Sequence, residues 1–464
     1  MERLSRPIPD NRPKKDPCSL GVRNALHAID NRPRPLHHLH LHLHAAQTIA
    51  MFRVTVVRYA AQTHNAALEA VVVGGGPAGL AVVGNLLEHL PKTNRSQLWV
   101  DPSFTAGRVN ARYRQVPSNT KVDLFLQFAK ELAPFRHIIE FAQRPNAITT
   151  LEGLVQDKGC ELGYGADMCL MLTKGIAKYY QDAQQHTGMV TGAVLNKTTG
   201  IWTVKLNNKD AVTAKRLILC TGSSPIDTTP RMIQQNIQQA TSIHLDTALN
   251  PPLLAASISR DTPTTIAVVG ASHSAILVLM NLYNLAASSH PHLRIKWFSR
   301  HRSLRYAKPM DGWILYDNTG LKGDAAQWAR QNLEEASFAS SPASKVITKV
   351  FTSIGALEEQ AYHAELPDCT HIVQAIGYQR DPLPTIDVTD SPESEPSSMA
   401  IEHDGLTGRF VSPHNKTYVP GLFGAGIAFP ERVTDPAGNV EHAVGFWKFM
   451  RFLKRVVPQW VQEK

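Results

Sequence analysis

The chain of 464 residues is long enough for two or three domains with a large buried core. Its 43% hydrophobic and 19% charged content fits a globular protein, and no uninterrupted apolar run reaches the length of a bilayer span, so no transmembrane helix is predicted. The net charge of +9 is concentrated in residues 1–66, which carry ten Lys and Arg against four Asp and Glu. The remainder is nearly neutral, and a nucleic-acid-binding face is not required.

Residues 1–66 are rich in Pro, repeat Asn-Arg-Pro, and alternate His with Leu from His37 to His44. Such alternation could form a metal-binding strand. Nothing nearby supplies a core, however, so the segment is read as a leader or disordered stretch, with Met51 an alternative start. An organellar leader is the other reading, against which stand its acids and the lack of an amphipathic helix. The five cysteines lie far apart with no C-x-x-C pair. That argues against structural zinc, a disulfide framework or a dithiol redox centre, and for a reducing, cytoplasmic setting.

The first strongly patterned stretch is Val71-Val72-Val73-Gly74-Gly75-Gly76-Pro77-Ala78-Gly79, an apolar strand that enters a glycine turn and then a helix through Leu90. It reads as the phosphate-binding turn of a Rossmann unit: Gly74 for the tight turn, Gly76 for close approach to a pyrophosphate, Gly79 for packing of helix on strand. The helix start, at Pro77 and Ala78, offers free N–H groups and a positive dipole end. A second apolar strand, Gln97 to Val100, ends in Asp101, placed to accept hydrogen bonds from an adenosine ribose.

The polar, turn-rich passage from Ala106 to Lys121 is expected to wrap back over the bound dinucleotide. Residues 123–185 read mostly as helices that cover the sheet. From Val190 the period changes to alternation, with turns at Thr199-Gly200 and Asn207-Asn208. This predicts a small antiparallel meander, followed by a strand Arg216 to Leu219 and an exit at Thr221-Gly222.

A second dinucleotide turn follows in Thr265 to Val269, then Gly270-Ala271-Ser272-His273-Ser274-Ala275, then a helix from Ile276. Ser272 and Ser274 stand where the strict pattern has glycine; small residues still admit a phosphate, and their hydroxyls add donors. The next strand, Leu293 to Phe298, ends not in an acid but in Ser299-Arg300-His301-Arg302-Ser303-Leu304-Arg305. Arg300 and Arg302 are therefore candidates to hold a 2′-phosphate, which favours NADPH over NADH; the alternative is a solvated arginine run.

A strand His371 to Ile376 with Gly377-Tyr378 forms a second glycine exit, and residues 387–399 read as a surface loop. Tyr418 to Gly426 is a strand and turn, and Asn439 to Val457 an amphipathic closing helix. Trp447, Phe449, Met450 and Phe452 wrap too far round that helix for a thin membrane-facing stripe, so it is expected to pack on its own domain.

Two dinucleotide turns, glycine exits near Gly222 and Gly377, and the closing Gly421-Leu422-Phe423-Gly424 together resemble the two-domain flavoprotein oxidoreductases across residues 68–464. The resemblance implies an α/β fold in which a Rossmann-type FAD domain (67–226 and 373–464) carries an inserted NAD(P)-binding Rossmann domain (262–372). Within that group the chain is more similar to the flavin-containing and N-hydroxylating monooxygenases than to the disulfide reductases. It has no redox cysteine pair, and Gly424-Ala425-Gly426 replaces the reductases' Gly-Asp. Ser118-Asn119-Thr120-Lys121 resembles the Asn-centred loop beside the flavin, and Ala375-Ile376-Gly377-Tyr378 resembles Ala-Thr-Gly-Tyr, with Ile376 for Thr. Ile243-His244-Leu245-Asp246 stands where a Phe-x-Gly-x-x-x-His fingerprint would be.

The resemblance implies that FAD and NADPH are the cofactors, with Gly424 and Ala425 on the flavin side. It also implies that reduced flavin activates molecular oxygen to hydroxylate a small-molecule substrate, nucleophilic or aromatic. Asn119, whose amide has donors and an acceptor, is the candidate beside the reacting face; the alternative is that it merely closes its turn. Two other activities fit the same residues: an NAD(P)H reductase of a quinone or other acceptor, and a non-catalytic nucleotide sensor.

Overall fold

The structure is a computed structural model that describes residues 67–227, 231–234, 240–353, 355–391 and 393–463. The His-Leu run, the candidate start Met51 and Cys18 lie outside the described residues.

The apolar run before the first glycine turn forms the strand Ala70–Val73, in the middle of the five parallel strands of a seven-stranded sheet. Its neighbours Gln97–Asp101 and Leu217–Leu219 pair parallel to it, and Ala183–Thr187 and Tyr418–Gly424 extend the parallel set on either side. The inner strands of such a sheet are buried on both faces, which is why Ala70–Val73, Gln97–Asp101 and Leu217–Leu219 read as continuous rather than alternating apolar runs. Helices Pro77–His89, Val122–Lys130, Leu162–Tyr179 and Phe446–Gln462 cover one face, around Leu80, Trp99, Phe125, Phe128 and Trp460. The other face packs on the predicted meander, Val190–Asn196, Ile201–Leu206 and Ala211–Ala214, through Val71, Leu98, Trp202 and Leu219.

The second sheet is wholly parallel, in the order Thr241–Ser242, His371–Gln374, Thr264–Val269, Leu293–Ser299, Ile347–Phe351. The strand His371–Gln374 thus belongs to the inserted sheet, so a boundary at residue 373 cuts through a strand; the chain crosses back after Gln374. The two crossings run side by side, with Ser223–Pro225 antiparallel to Tyr378–Arg380. The inserted domain is thereby entered and left through one two-stranded ribbon.

Two other expectations are corrected. The expected loop 387–399 begins and ends in strands: Thr385–Thr389 adds parallel to the meander because Ile386 and Val388 alternate into its core, and Ser397–Ser398 pairs back on it. The closing helix starts at Phe446, not Asn439. Val440–Ala443 instead pairs antiparallel with Glu431–Thr434, and Gly445, with φ +145°, separates the hairpin from the helix. Among the described residues no helix is long and apolar enough to cross a membrane.

Candidate active site

The two dinucleotide turns are built alike. Gly74 adopts φ +112° and Gly270 φ +129°, and a Cβ on either would fall 2.2 or 2.3 Å from the carbonyl oxygen of the residue after a neighbouring strand, Cys220 or Ala375. Only glycine fits either place. In both units a tryptophan two residues before the end of the second strand donates its indole N–H to the turn. Trp99 Nε1 bonds the Gly74 carbonyl at 2.8 Å, and Trp297 Nε1 the Gly270 carbonyl at 2.7 Å. These tryptophans were not singled out from sequence; their matched place before Asp101 and Ser299 was the available signal.

At the first turn, a Cβ on Gly79 would lie 1.8 Å from the Gly74 carbonyl oxygen, the close helix-to-strand approach expected of it. A Cβ on Gly76 would meet nothing within 4 Å. Gly76 is also the N-cap of helix Pro77–His89, among the described residues no side chain caps that end, and Pro77 at the first position has no N–H. Open space in front of uncapped amides of Ala78 and Gly79 fits a pyrophosphate. Gly424 and Ala425 end the closing strand beside this turn. Gly424 is held tight by Phe429 and Phe410, and Ala425 is buried; the atom against the helix start is Gly426, whose Cβ would lie 2.6 Å from that of Ala78.

Asp101 is more committed than the ribose-acceptor expectation supposes. Its Oδ2 accepts the Gly75 N–H at 2.6 Å, and its Oδ1 accepts the N–H groups of Ser103 at 2.9 Å and Phe104 at 2.7 Å. The carboxylate braces the glycine turn, leaving part of its acceptor capacity for a ligand. The loop that follows brings Gly107 over Gly76, where its Cβ would lie 3.3 Å from the Gly76 Cα. Arg108 and Tyr113 then tie this loop to Asp246, a buried acid of the inserted domain. Arg108 forms an ion pair with it, and the Tyr113 hydroxyl donates to its Oδ1 at 2.7 Å. The place where a fingerprint histidine was sought thus supplies an acid clamp.

The second turn opens on a cavity of about 840 Å³ lined by Gly270, Ser272, Arg300, Arg305, Tyr316 and Glu358, among others. That volume is in the range of small-molecule and cofactor sites. Ser272 is the N-cap of helix His273–Ser288, again with no side-chain cap, and Ser274 sits in its first turn. Arg300 donates from Nε to Glu358 Oε1 at 2.8 Å, and that hydrogen bond, against the opposing effect of burial, raises its pKa. Its two terminal nitrogens remain for an anion. Arg302 is not among the lining residues; its guanidinium stands 4.9 Å over the Phe351 ring, while Arg305, over Tyr316 at 4.8 Å, lines the cavity in its stead. His273 lies beside this turn; burial, and then the nearby Lys322 charge, push its pKa down to about 4.

Asn119 is exposed in the strand Pro117–Lys121, which pairs antiparallel with Gly159–Glu161. The local turn bond is made by Ser118, whose Oγ accepts the Thr120 N–H at 2.8 Å, and among the described residues the Asn119 amide has no partner. Helix Gly323–Asn332 of the inserted domain starts against it, with a Cβ on Gly323 falling 3.7 Å from the Asn119 Cα. Gly445, which begins the closing helix, lies beside Thr120. Asn119 therefore stands at the seam where both domains and the closing helix meet.

Two dinucleotide turns, one in a discontinuous domain and one in a domain inserted into it, define a two-domain flavoprotein oxidoreductase. The family of L-lysine 6-monooxygenases and L-ornithine 5-monooxygenases matches residues 187–313. Monooxygenase AgnR1 of Paecilomyces divaricatus is 52% identical over 397 residues, spanning 84% of this chain and 97% of that protein. The reduced form of ornithine hydroxylase from Pseudomonas aeruginosa shares the fold, with a TM-score of 0.53 at 12% identity, over 86% of this chain and 99% of that one. The chain belongs to the same monooxygenase family as that 52% identical relative, and is an oxidoreductase.

Proposed function

We propose that this monooxygenase binds FAD across the Gly74–Gly79 turn and NADPH in the 840 Å³ cavity of the inserted domain, and that it hydroxylates a small molecule at the seam marked by Asn119. The observation that carries the reading is the repetition of one turn, a glycine at positive φ before a helix start without a side-chain cap, in two domains whose crossings are paired. When bound, FAD supplies the redox and oxygen chemistry, and NADPH the hydride.

This chain's residues then have defined tasks. The amides of Ala78 and Gly79 hold the pyrophosphate of FAD; Asp101 braces the turn and meets the ribose. The amides of the helix that begins at Ser272 hold the second pyrophosphate, and Arg300 with Arg305 pairs with the 2′-phosphate. The clamp on Asp246 keeps the covering loop closed against water. Asn119, free of the turn-closing bond, orients the nicotinamide or the activated oxygen through its amide.

The test is an absorbance spectrum of the purified protein, followed first anaerobically with NADPH and then with oxygen. Bleaching of a flavin band by NADPH and its return with oxygen are expected. In Asn119→Ala, flavin binding and reduction are expected to persist while more peroxide is released per NADPH consumed. Loss of flavin with unchanged coupling would make Asn119 structural. Reduction by NADPH that then requires a quinone, with no oxygen consumption, would assign the chain to the reductases instead.

A further inference from the structure

The loop Asp317–Thr319 of the inserted domain is held from outside its own domain. Glu441, 4% exposed, accepts from the backbone N–H of Asn318 at 3.0 Å and its amide Nδ2 at 3.1 Å on one oxygen. Its other oxygen accepts the N–H of Thr319 at 3.1 Å and the Thr319 hydroxyl. Burial acts to raise the pKa of this carboxyl, and the four donors outweigh it. Lys448 grips the same loop, donating to the Asp317 carbonyl at 3.1 Å and the Asn318 side chain, and pairing with the Asp317 carboxylate at 2.8 Å. Lys322 of the inserted domain shares that carboxylate.

Lys448 is oddly placed for a residue that serves only its helix. It lies in the first turn of Phe446–Gln462, where the dipole disfavours a cation, and it is largely buried. The contacts it makes are with the inserted domain. Those contacts also face the site on two sides: Tyr316 and Thr319 line the dinucleotide cavity, and Gly445, between Glu441 and Lys448, abuts Thr120 next to Asn119.

Building on the FAD and NADPH assignment above, we propose that Glu441 and Lys448 are positioning residues for hydride transfer. By gripping Asp317–Thr319 they hold the NADPH cavity in register with the Asn119 face of the first domain. In the step they serve, the reduced nicotinamide gives up a hydride and is oxidised, and the flavin takes both electrons and is reduced. Neither residue touches the reacting atoms. Small errors of placement are costly for such a step, because the donor and acceptor must meet in a narrow range of geometry.

The test is anaerobic stopped-flow reduction of the flavin-loaded full chain by saturating NADPH, in Glu441→Gln and Lys448→Met, with Glu431→Gln as control on the exposed Glu431–Arg455 pair of the neighbouring strand. Both grip variants are expected to keep their flavin content, their reduction by dithionite and their reoxidation by oxygen, while the NADPH reduction rate falls at least tenfold. Glu431→Gln is expected to match the wild type. Should Glu441→Gln not fold, Thr319→Val removes one donor and leaves the backbone bonds, and a fall of about threefold is expected. An unchanged rate at saturating NADPH, or a rise in KM alone, would overturn the proposal. Failure of NADPH to reduce the wild type would instead overturn the cofactor assignment.

Discussion

Two glycines of the first turn, three positions apart, separate binding from folding. A side chain on Gly76 enters open space, so Gly76→Val is expected to give a stable, soluble, colourless protein. A side chain on Gly79 strikes the Gly74 carbonyl, so Gly79→Ala is expected to lose at least about 1–3 kcal/mol, read as a lower urea midpoint. Yellow Gly76→Val protein with full flavin would contradict the first assignment. The arginines divide in the same way. Arg300→Ala is expected to raise the KM for NADPH roughly ten- to hundredfold with little change for NADH, the loss of about 1.5–3 kcal/mol that a charged hydrogen bond represents. Arg302→Ala, which removes only a contact with Phe351, is expected to leave both unchanged. The sequence alone named Arg300 and Arg302 together, because charge composition at a strand end is visible in one dimension. Which guanidinium turns inward depends on where Phe351, Glu358 and Tyr316 come to lie, and those arrive from elements far along the chain.

Among elements, the closing helix shows how a distant residue can secure an end. Arg216, 5% exposed, donates to the carbonyls of Trp460, Val461 and Glu463 and pairs with buried Glu69 at 2.9 Å. It thus satisfies carbonyls that a helix C-terminus otherwise leaves without partners, and does so with the charge that the helix dipole favours there. Arg216→Met is expected to cost about 3 kcal/mol, near the lower limit for breaking a buried pair because Lys215 still neutralises Glu69; chemical denaturation would measure it. A loss below about 1 kcal/mol would mean that the helix end is held by packing alone. The same helix starts later than the spacing of its apolar residues predicts, for a related reason. Residues 440–443 carry apolar spacing compatible with a helix, but Glu441 is pulled into the contact with Asn318 and Thr319, and the hairpin with Glu431–Thr434 wins. The parallel strands and the meander were legible because burial on two faces or one writes a distinct period into each.

Across the whole molecule, two histidines in different domains report on acid stability. Burial, its largest cause, holds the pKa of His403 at about 4, and burial with the Lys322 charge does the same for His273. In the unfolded chain both titrate near 6.5. Below that value the unfolded state binds protons that the folded state refuses, so stability is full above about pH 6.5 and falls as pH drops toward 4. The double variant His273→Gln, His403→Gln is expected to flatten that part of the stability profile, measured by urea denaturation at pH 7, 6 and 5. An unaltered slope would place the acid sensitivity elsewhere. Neither residue advertises this in sequence, since a histidine's charge state is set by what covers it.

The paired crossings, Ser223–Pro225 against Tyr378–Arg380, bear on how the chain reaches its native state. Strand Tyr418–Gly424 must find Leu217–Leu219 with the whole inserted sheet lying between them in sequence. Closing so long a loop from an unstructured chain carries an entropic cost, and long-range parallel pairing is slow for that reason. The inserted sheet, however, is contiguous, and it can form without waiting for residues beyond Gln374. Once it has formed, its two ends emerge side by side, and the effective loop shrinks to the stretch between Arg380 and Tyr418. During synthesis the second dinucleotide domain would therefore fold first and act as a template, delivering the last strand of the seven-stranded sheet to its partner.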